Sequence, residues 1–224
     1  MSPDALFSPL VERAIETAAE WHDGTYRKGR WSDPCVAPRE GAAARVPTMA
    51  HVTAVALTVQ RAGWGDVAVA AAFLHDALED ANRHREWFDR AALADRVGEA
   101  VVAVIEAVSE PKADPSGAAL PWRVRKETYL DRLRAGSAEA AAVSLADKLH
   151  NAYAMASSLE AGVDIFSSAP GRRALSAGPV DQAWFFRAVL NVSRQHDDPR
   201  LVPMRARLAT EIGRFERAAG VAAR

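Results

Sequence analysis

The sequence predicts an all-α protein of a single domain. Apolar residues recur at helical spacing in one segment after another, and each segment is bounded by a capping residue or by Gly and Pro. The one Val-rich stretch with strand propensity, from Glu99 to Ser109, has no evident partner strand. No internal repeat, low-complexity tail or clear linker divides the 224 residues, a length sufficient for one sizeable core.

The elements follow in order. Ser8 and Pro9 read as an N-cap and first helical residue, opening a helix from Leu10 to Trp21 with an apolar stripe at Leu10, Ala14, Ile15, Ala18 and Trp21. From Gly24 to Pro47 helical spacing breaks, and Gly, Pro, Ser and Arg dominate. Loops of this length are uncommon in compact domains and often functional. A second helix is expected from Ala50 to Arg61, ending near Gly63. A third, capped by Asp66, is expected to run through Phe73 and Leu74 to Asp80. Trp87 to Arg96 and Glu99 to Ser109 read as two more. After a Pro/Gly/Ser loop from Ala113 to Leu120, Pro121 opens a helix to about Arg134. Ser137 caps another to about Ser157. Beyond the loop from Ser167 to Pro179, Asp181 to Gln195 and Leu201 to Ala218 read as amphipathic closing helices.

The balance of 28 basic and 29 acidic side chains leaves a net charge of −1, which supplies no global pull toward nucleic acid or an anionic membrane. Cys35 is the only cysteine, so no internal disulfide can form. No signal-like start is present at Met1 to Asp4, and apolar runs such as Val67 to Leu74 are too short to span a bilayer. These features predict a cytoplasmic protein acting on a small molecule, with neither a nucleic acid nor a membrane as partner.

The chemistry centres on His75-Asp76-Ala77-Leu78-Glu79-Asp80. On a helix, residues four apart share a face, which pairs His75 with Glu79 and Asp76 with Asp80. Carboxylates crowded together beside an apolar run need a counter-charge. His51 and Asp147 extend the set to two imidazoles and two carboxylates, a mixed N/O donor set suited to Mn²⁺, Fe²⁺ or Zn²⁺. Glu79 and Asp80 are then placed to position or deprotonate a water. Asn151, one turn after Asp147, faces the same pocket.

Taken in order, these motifs resemble the HD phosphohydrolase superfamily, and more closely the alarmone hydrolases: the hydrolase domain of RelA/SpoT proteins and the stand-alone small alarmone hydrolases. Arg27-Lys28-Gly29 resembles the family's Arg-Lys loop, and Pro47 to His51 its first metal histidine. His75 to Asp80 resembles its His-Asp-x-x-Glu-Asp box, Val108 to Lys112 its post-helix segment, and Leu145 to Asn151 its Leu-Ala-Asp-Lys/Arg-Leu-His-Asn motif. The resemblance spans about residues 18–157. It implies an HD-domain helical bundle around a central metal site. The implied activity is a pyrophosphohydrolase removing the 3′-pyrophosphate from guanosine tetra- or pentaphosphate, with Mn²⁺ or another divalent metal. By motif, His51, His75, Asp76 and Asp147 hold the metal and Glu79 and Asp80 handle the water. Arg27, Lys28 and Asn151 contact the nucleotide. Apart from the resemblance, the positive charge of Lys112 is expected to add to a basic rim for the phosphates. Thr48, Val52 and Ala154 stand where relatives commonly carry Tyr, Pro and Thr, and the loop between Gly29 and Pro47 is longer than in typical relatives. No synthetase segment follows, so a bifunctional enzyme is not expected.

Two alternatives stand beside this reading: hydrolysis of another nucleotide, such as an adenosine alarmone or a nucleoside monophosphate, and a catalytically silent nucleotide-binding module. Blander expectations apply elsewhere. His22 is expected to serve the negative end of the first helix, and His150 to be structural and turned away from Asp147. Arg123, Arg125 and Lys126 are expected on a charged helix face, and Trp184, Phe185 and Phe186 in the core.

Overall fold

A computed structural model describes residues 6–27, 46–168 and 173–221. Lys28, Arg30, Cys35 and most of the long loop before Pro47 lie outside the described residues. Among the described residues the fold is nine helices with no strand, only isolated bridges between Tyr26 and Pro47 and between Ala113 and Ala119.

Helix α1 (Pro9–Trp21) starts as expected, with the Ser8 hydroxyl accepting from the Val11 amide. Helix α2 (Thr48–Arg61) begins directly after Pro47. Helix α3 (Asp66–Leu74) is buried along nearly its whole length, which is why its sequence reads as a continuous apolar run rather than a stripe. Helix α4 (Arg90–Val97) is capped by the Asp89 carboxylate, which accepts from the Ala92 amide. The Val-rich segment is helix α5 (Glu99–Ala107). Helix α6 (Trp122–Ala135) follows Pro121, and α7 (Ala138–Glu160) follows a Ser137 cap. Its 23 residues make α7 about 35 Å long, the spine of the molecule. Helices α8 (Pro179–Ser193) and α9 (Leu201–Ala218) close the bundle against it.

The third helix ends earlier than its sequence predicts. Leu74 is its last residue, and His75 to Asp80 form successive turns. Its backbone bonds tighten there, the Ala77 amide donating to the Leu74 carbonyl at 2.9 Å and the Glu79 amide to Asp76 at 3.1 Å. Continuing the helix would gather Asp76, Glu79 and Asp80 at its C-terminal, negative pole, where carboxylates are unfavourable. The indole N–H of Trp21 donates to the Asp80 carbonyl at 3.0 Å and pins the end of the turns. Part of the predicted pairing survives in these turns: the Asp80 amide donates to the Asp76 carbonyl four residues back at 2.9 Å, and Asp76, Glu79 and Asp80 line one cavity.

The core is contiguous. Helix α3 packs against α1, α2, α5 and α7, and α7 in turn contacts α2, α8 and α9. Leu74, Leu145, Val52 and Val55 are fully buried where these helices meet. This packing places the N-terminal part of α2, the end of α3 and the middle of α7 around one point.

Candidate metal centre

Three elements bring their side chains to that point. His51 comes from the first turn of α2, His75 from the end of α3 and Asp147 from mid-α7; all three are buried. One ligating atom from each lies within 4.8 Å of the other two. Asp76 lies beside them, with Oδ1 at 3.3 Å from His75 Nε2 and Oδ2 at 3.8 Å from His51 Nε2.

Both imidazoles are held from behind. His75 Nδ1 lies 2.8 Å from the Ala72 carbonyl, and His51 Nδ1 lies 2.8 Å from His150 Nδ1. Each ring therefore turns Nε2 toward the carboxylates. His51 Nε2 is 3.2 Å and His75 Nε2 3.7 Å from Asp147 Oδ1. Neither Nε2 has a hydrogen-bond partner of good geometry. Two buried ring nitrogens left without partners and facing two carboxylates are costly unless a cation sits between them. A ligating histidine typically engages its outer nitrogen with a carbonyl or another acceptor, and both rings satisfy that requirement. The site fits a divalent metal.

The electrostatics agree. Burial, with Arg27 nearby, pushes His51 down to about 3, so its ring is neutral. Burial opposes charge on His75 as well, but Asp76 and Asp147 outweigh it and push His75 up to about 9. Burial also opposes ionisation of Asp76 and Asp147. His75 and His51 nevertheless hold Asp76 below the usual carboxylate range, and Lys148 with the two imidazoles does the same for Asp147. In the absence of metal the proton on His75 and the cation of Lys148 balance the two carboxylates.

Around the centre lies a cavity of about 260 Å³. Glu79 lines it, its pKa raised by burial although Lys112 opposes the shift. The Lys112 ammonium donates to Glu79 Oε1 at 3.1 Å and lies 3.9 Å from Asp80 Oδ1. The Glu79 side chain is mostly covered beside the site, at 14% exposed, whereas the Asp80 carboxylate is half exposed. Arg27 donates to Asn151 Oδ1, while Asn151 Nδ2 donates to Asp147 Oδ1 at 2.6 Å. Arg27 also lies 3.9 Å from Asp76. Asn151 thus uses both ends of its amide to tie Arg27 to a candidate ligand. Of the predicted site residues, only Lys28 lies outside the described residues.

Three expectations need correction. His150, 60° short of a full turn from Asp147, still meets α2 because α2 and α7 pack face to face, and it bonds His51. His22 caps α1, but burial lowers its pKa despite the charge of Asp76, so it is a neutral group near the site rather than a charged partner of the helix end. Arg125 and Lys126 are not a solvated face: both line the cavity and pair with the buried Glu110, Arg125 at 2.7 Å. Arg123 does face outward, over the Trp184 ring. Lys148 was not singled out from the sequence. Buried, it pairs with Asp147 and lies over the Tyr129 and Phe185 rings at 4.7 and 5.2 Å. Its place beside Asp147 in the Leu145–Asn151 motif was the available signal. Phe185 and Phe186 are core residues as expected, and both also line the cavity.

A larger groove of about 1040 Å³ near Trp87 and Arg132 shares Glu110 and Lys112 with this cavity, but among the described residues no ligating cluster converges on it.

The HD domain family model matches residues 30–167, more than half of the chain. The chain belongs to the HD domain family. Its His-Asp dipeptide is His75-Asp76, at the centre just described. Among solved structures the chain is similar to a metazoan ortholog of SpoT, described as hydrolysing ppGpp and acting in starvation responses. That match has a TM-score of 0.60 at 20% identity and covers 96% of this chain and 98% of the other. It is also similar to lmo0812 from Listeria monocytogenes EGD-e, with a TM-score of 0.57 at 24% identity over 72% of this chain and 90% of that one. At these identities the likeness is one of fold. No curated protein matches. Family and cluster together support a phosphohydrolase whose His51, His75 and Asp147 can hold a divalent metal. Among the described residues no helix is long and apolar enough to cross a membrane.

Proposed function

We propose that this HD-domain protein is a metal-dependent pyrophosphohydrolase that removes the 3′-pyrophosphate from guanosine tetra- or pentaphosphate. The observation that carries the reading is the convergence of His51, His75, Asp76 and Asp147 in a cavity also lined by Arg27, Lys112, Arg125 and Lys126. A polyanionic substrate needs such a set of cations. The four central residues are assigned as ligands; their mixed N/O character suits Mn²⁺, Fe²⁺ or Zn²⁺, and the resemblance to the alarmone hydrolases favours Mn²⁺. A metal of this kind supplies charge neutralisation for a phosphoryl oxygen and a water of lowered pKa.

The protein's own residues do the rest. Glu79, with a pKa raised by burial, accepts a proton from the attacking water. Lys112 holds the Glu79 carboxylate in place and faces the substrate phosphates. The water oxygen bonds to the phosphorus next to the ribose, the bond to the 3′ oxygen breaks, and that oxygen leaves with a proton. Pyrophosphate and GDP or GTP are the products. Asp80 orients the water from the rim. Arg27 and Lys28 bind the nucleotide, which requires Arg27 to exchange its contact with Asn151 for one with substrate.

The test is release of pyrophosphate by purified protein with Mn²⁺ from a panel of guanosine tetraphosphate, its adenosine counterpart and ordinary nucleotides. Activity on the guanosine 3′-pyrophosphate is expected. Release from the adenosine compound instead moves the assignment to another base, and release from none overturns it. Asp76→Ala is expected to cut the rate by about 10²–10³, the several kcal/mol a bound metal contributes to the transition state.

A further inference from the structure

We propose that His150 is the positioning residue that sets the ring orientation and tautomer of His51 for metal binding, an inference that rests on the metal centre of the proposed function. The two Nδ1 atoms lie 2.8 Å apart, with ring centroids 4.8 Å apart and planes at 53°. At that distance one nitrogen carries the proton and the other accepts it. A metal at His51 needs a bare Nε2, so His51 must carry its proton on Nδ1 and donate to His150. His150 then accepts through Nδ1 and carries its own proton on Nε2.

The two histidine ligands are held differently. His75 leans on the Ala72 carbonyl, which can only accept, so its backbone contact already demands an Nδ1 proton. His51 leans on an imidazole, which can accept or donate. The reverse arrangement, with His150 donating, leaves the His51 proton on Nε2, directed at Asp147 3.2 Å away. That tautomer closes the site to a metal. The orientation of this one bond decides whether His51 is a ligand, and the chain supplies it from α7, only three residues after Asp147. Acceptor and carboxylate therefore sit on one rigid helix and keep their spacing. Outer partners of this kind carry about 10- to 100-fold in metal affinity.

The experiment uses the full chain and no nucleotide, so it is separate from any failure of the alarmone assignment. Calorimetric titration with Zn²⁺ and with Mn²⁺ compares wild type, His150→Phe, His150→Asn and Asp147→Ala. His150→Phe should weaken binding about 10- to 100-fold. His150→Asn should recover most of that loss, because its Oδ1 takes the position of Nδ1 as an acceptor. Equal affinity for His150→Phe and wild type, or no recovery in His150→Asn, overturns the proposal. Loss in Asp147→Ala with none in His150→Phe overturns it while leaving the metal centre standing; full affinity in Asp147→Ala overturns both. Long-range ¹H–¹⁵N spectra of the Zn²⁺-loaded wild type need no variant and are not subject to misfolding. They should show His51 protonated on Nδ1 and His150 on Nε2, and a His150 proton on Nδ1 refutes the proposal.

Discussion

Lys148→Met tests the charge balance of the centre most directly. The Lys148 ammonium pairs with Asp147, and their side chains are 10% and 8% exposed, so solvent screens the pair little. Burial alone disfavours the charge on Lys148; Asp147 outweighs it and holds the ammonium charged. Methionine keeps most of the apolar stem and its contacts with Tyr129 and Phe185, so the cavity contribution is small. What is lost is the partner of a buried carboxylate, which costs about 3–5 kcal/mol, with up to about 2 kcal/mol of that range traceable to the desolvated cation–π contacts. Against a total stability of about 5–15 kcal/mol for a domain, this is a large fraction. Urea unfolding of the metal-free protein should show a midpoint lowered by that amount at unchanged slope. A metal supplies a replacement counter-charge, so Mn²⁺ at about 100 times its Kd should restore about 2.7 kcal/mol. A loss below about 1 kcal/mol in metal-free protein would refute the reasoning, because it means that the charge on His75 is enough to balance Asp147 without Lys148.

Further predictions concern proton and water handling. Glu79→Gln removes the proposed proton acceptor and keeps its shape. It should lower kcat by about 10²–10⁴ while leaving the calorimetric affinity for Mn²⁺ within about threefold of wild type; loss of both together would make Glu79 a ligand instead. The pH dependence follows from His75. Its folded pKa is raised to about 9, so it is protonated at neutral pH, and proton and metal compete for Nε2. Metal affinity should therefore rise with pH, by about tenfold per unit, and level off above about pH 9; a flat profile between neutrality and that point would show that no proton is displaced. The stability of the metal-free protein should move the other way. A raised histidine pKa contributes stability fully below the unfolded value near 6.5, and that contribution is lost as pH rises through about 9. Urea midpoints measured across the same range report it.

How much was legible beforehand can be seen residue by residue. Ser8, Ser137 and the Leu201–Ala218 stripe marked their helices correctly, because caps and periodic burial are local properties. The Val-rich α5 was separated from a strand only by the lack of a partner. The end of α3 was misplaced because the cost of crowding three carboxylates at a helix C-terminus is not part of apolar spacing. Arg125 and Lys126 read as surface cations in the sequence because nothing local shows that Glu110 is buried opposite them, and nothing local marks Lys148 as the buried partner of Asp147.

The sequence by itself determined the helical class and the family, and its short motifs singled out His51, His75 and Asp147, which come together in the fold as a cluster able to hold a metal. Only the tertiary structure decided how those groups are poised. It turned both Nε2 atoms inward, made His51 neutral and His75 charged, drew Lys148 and Glu110 into the interior, and set His150 against His51. These outcomes depend on burial and on distances between side chains far apart in the chain. Such quantities exist only once α2, α3 and α7 have packed together.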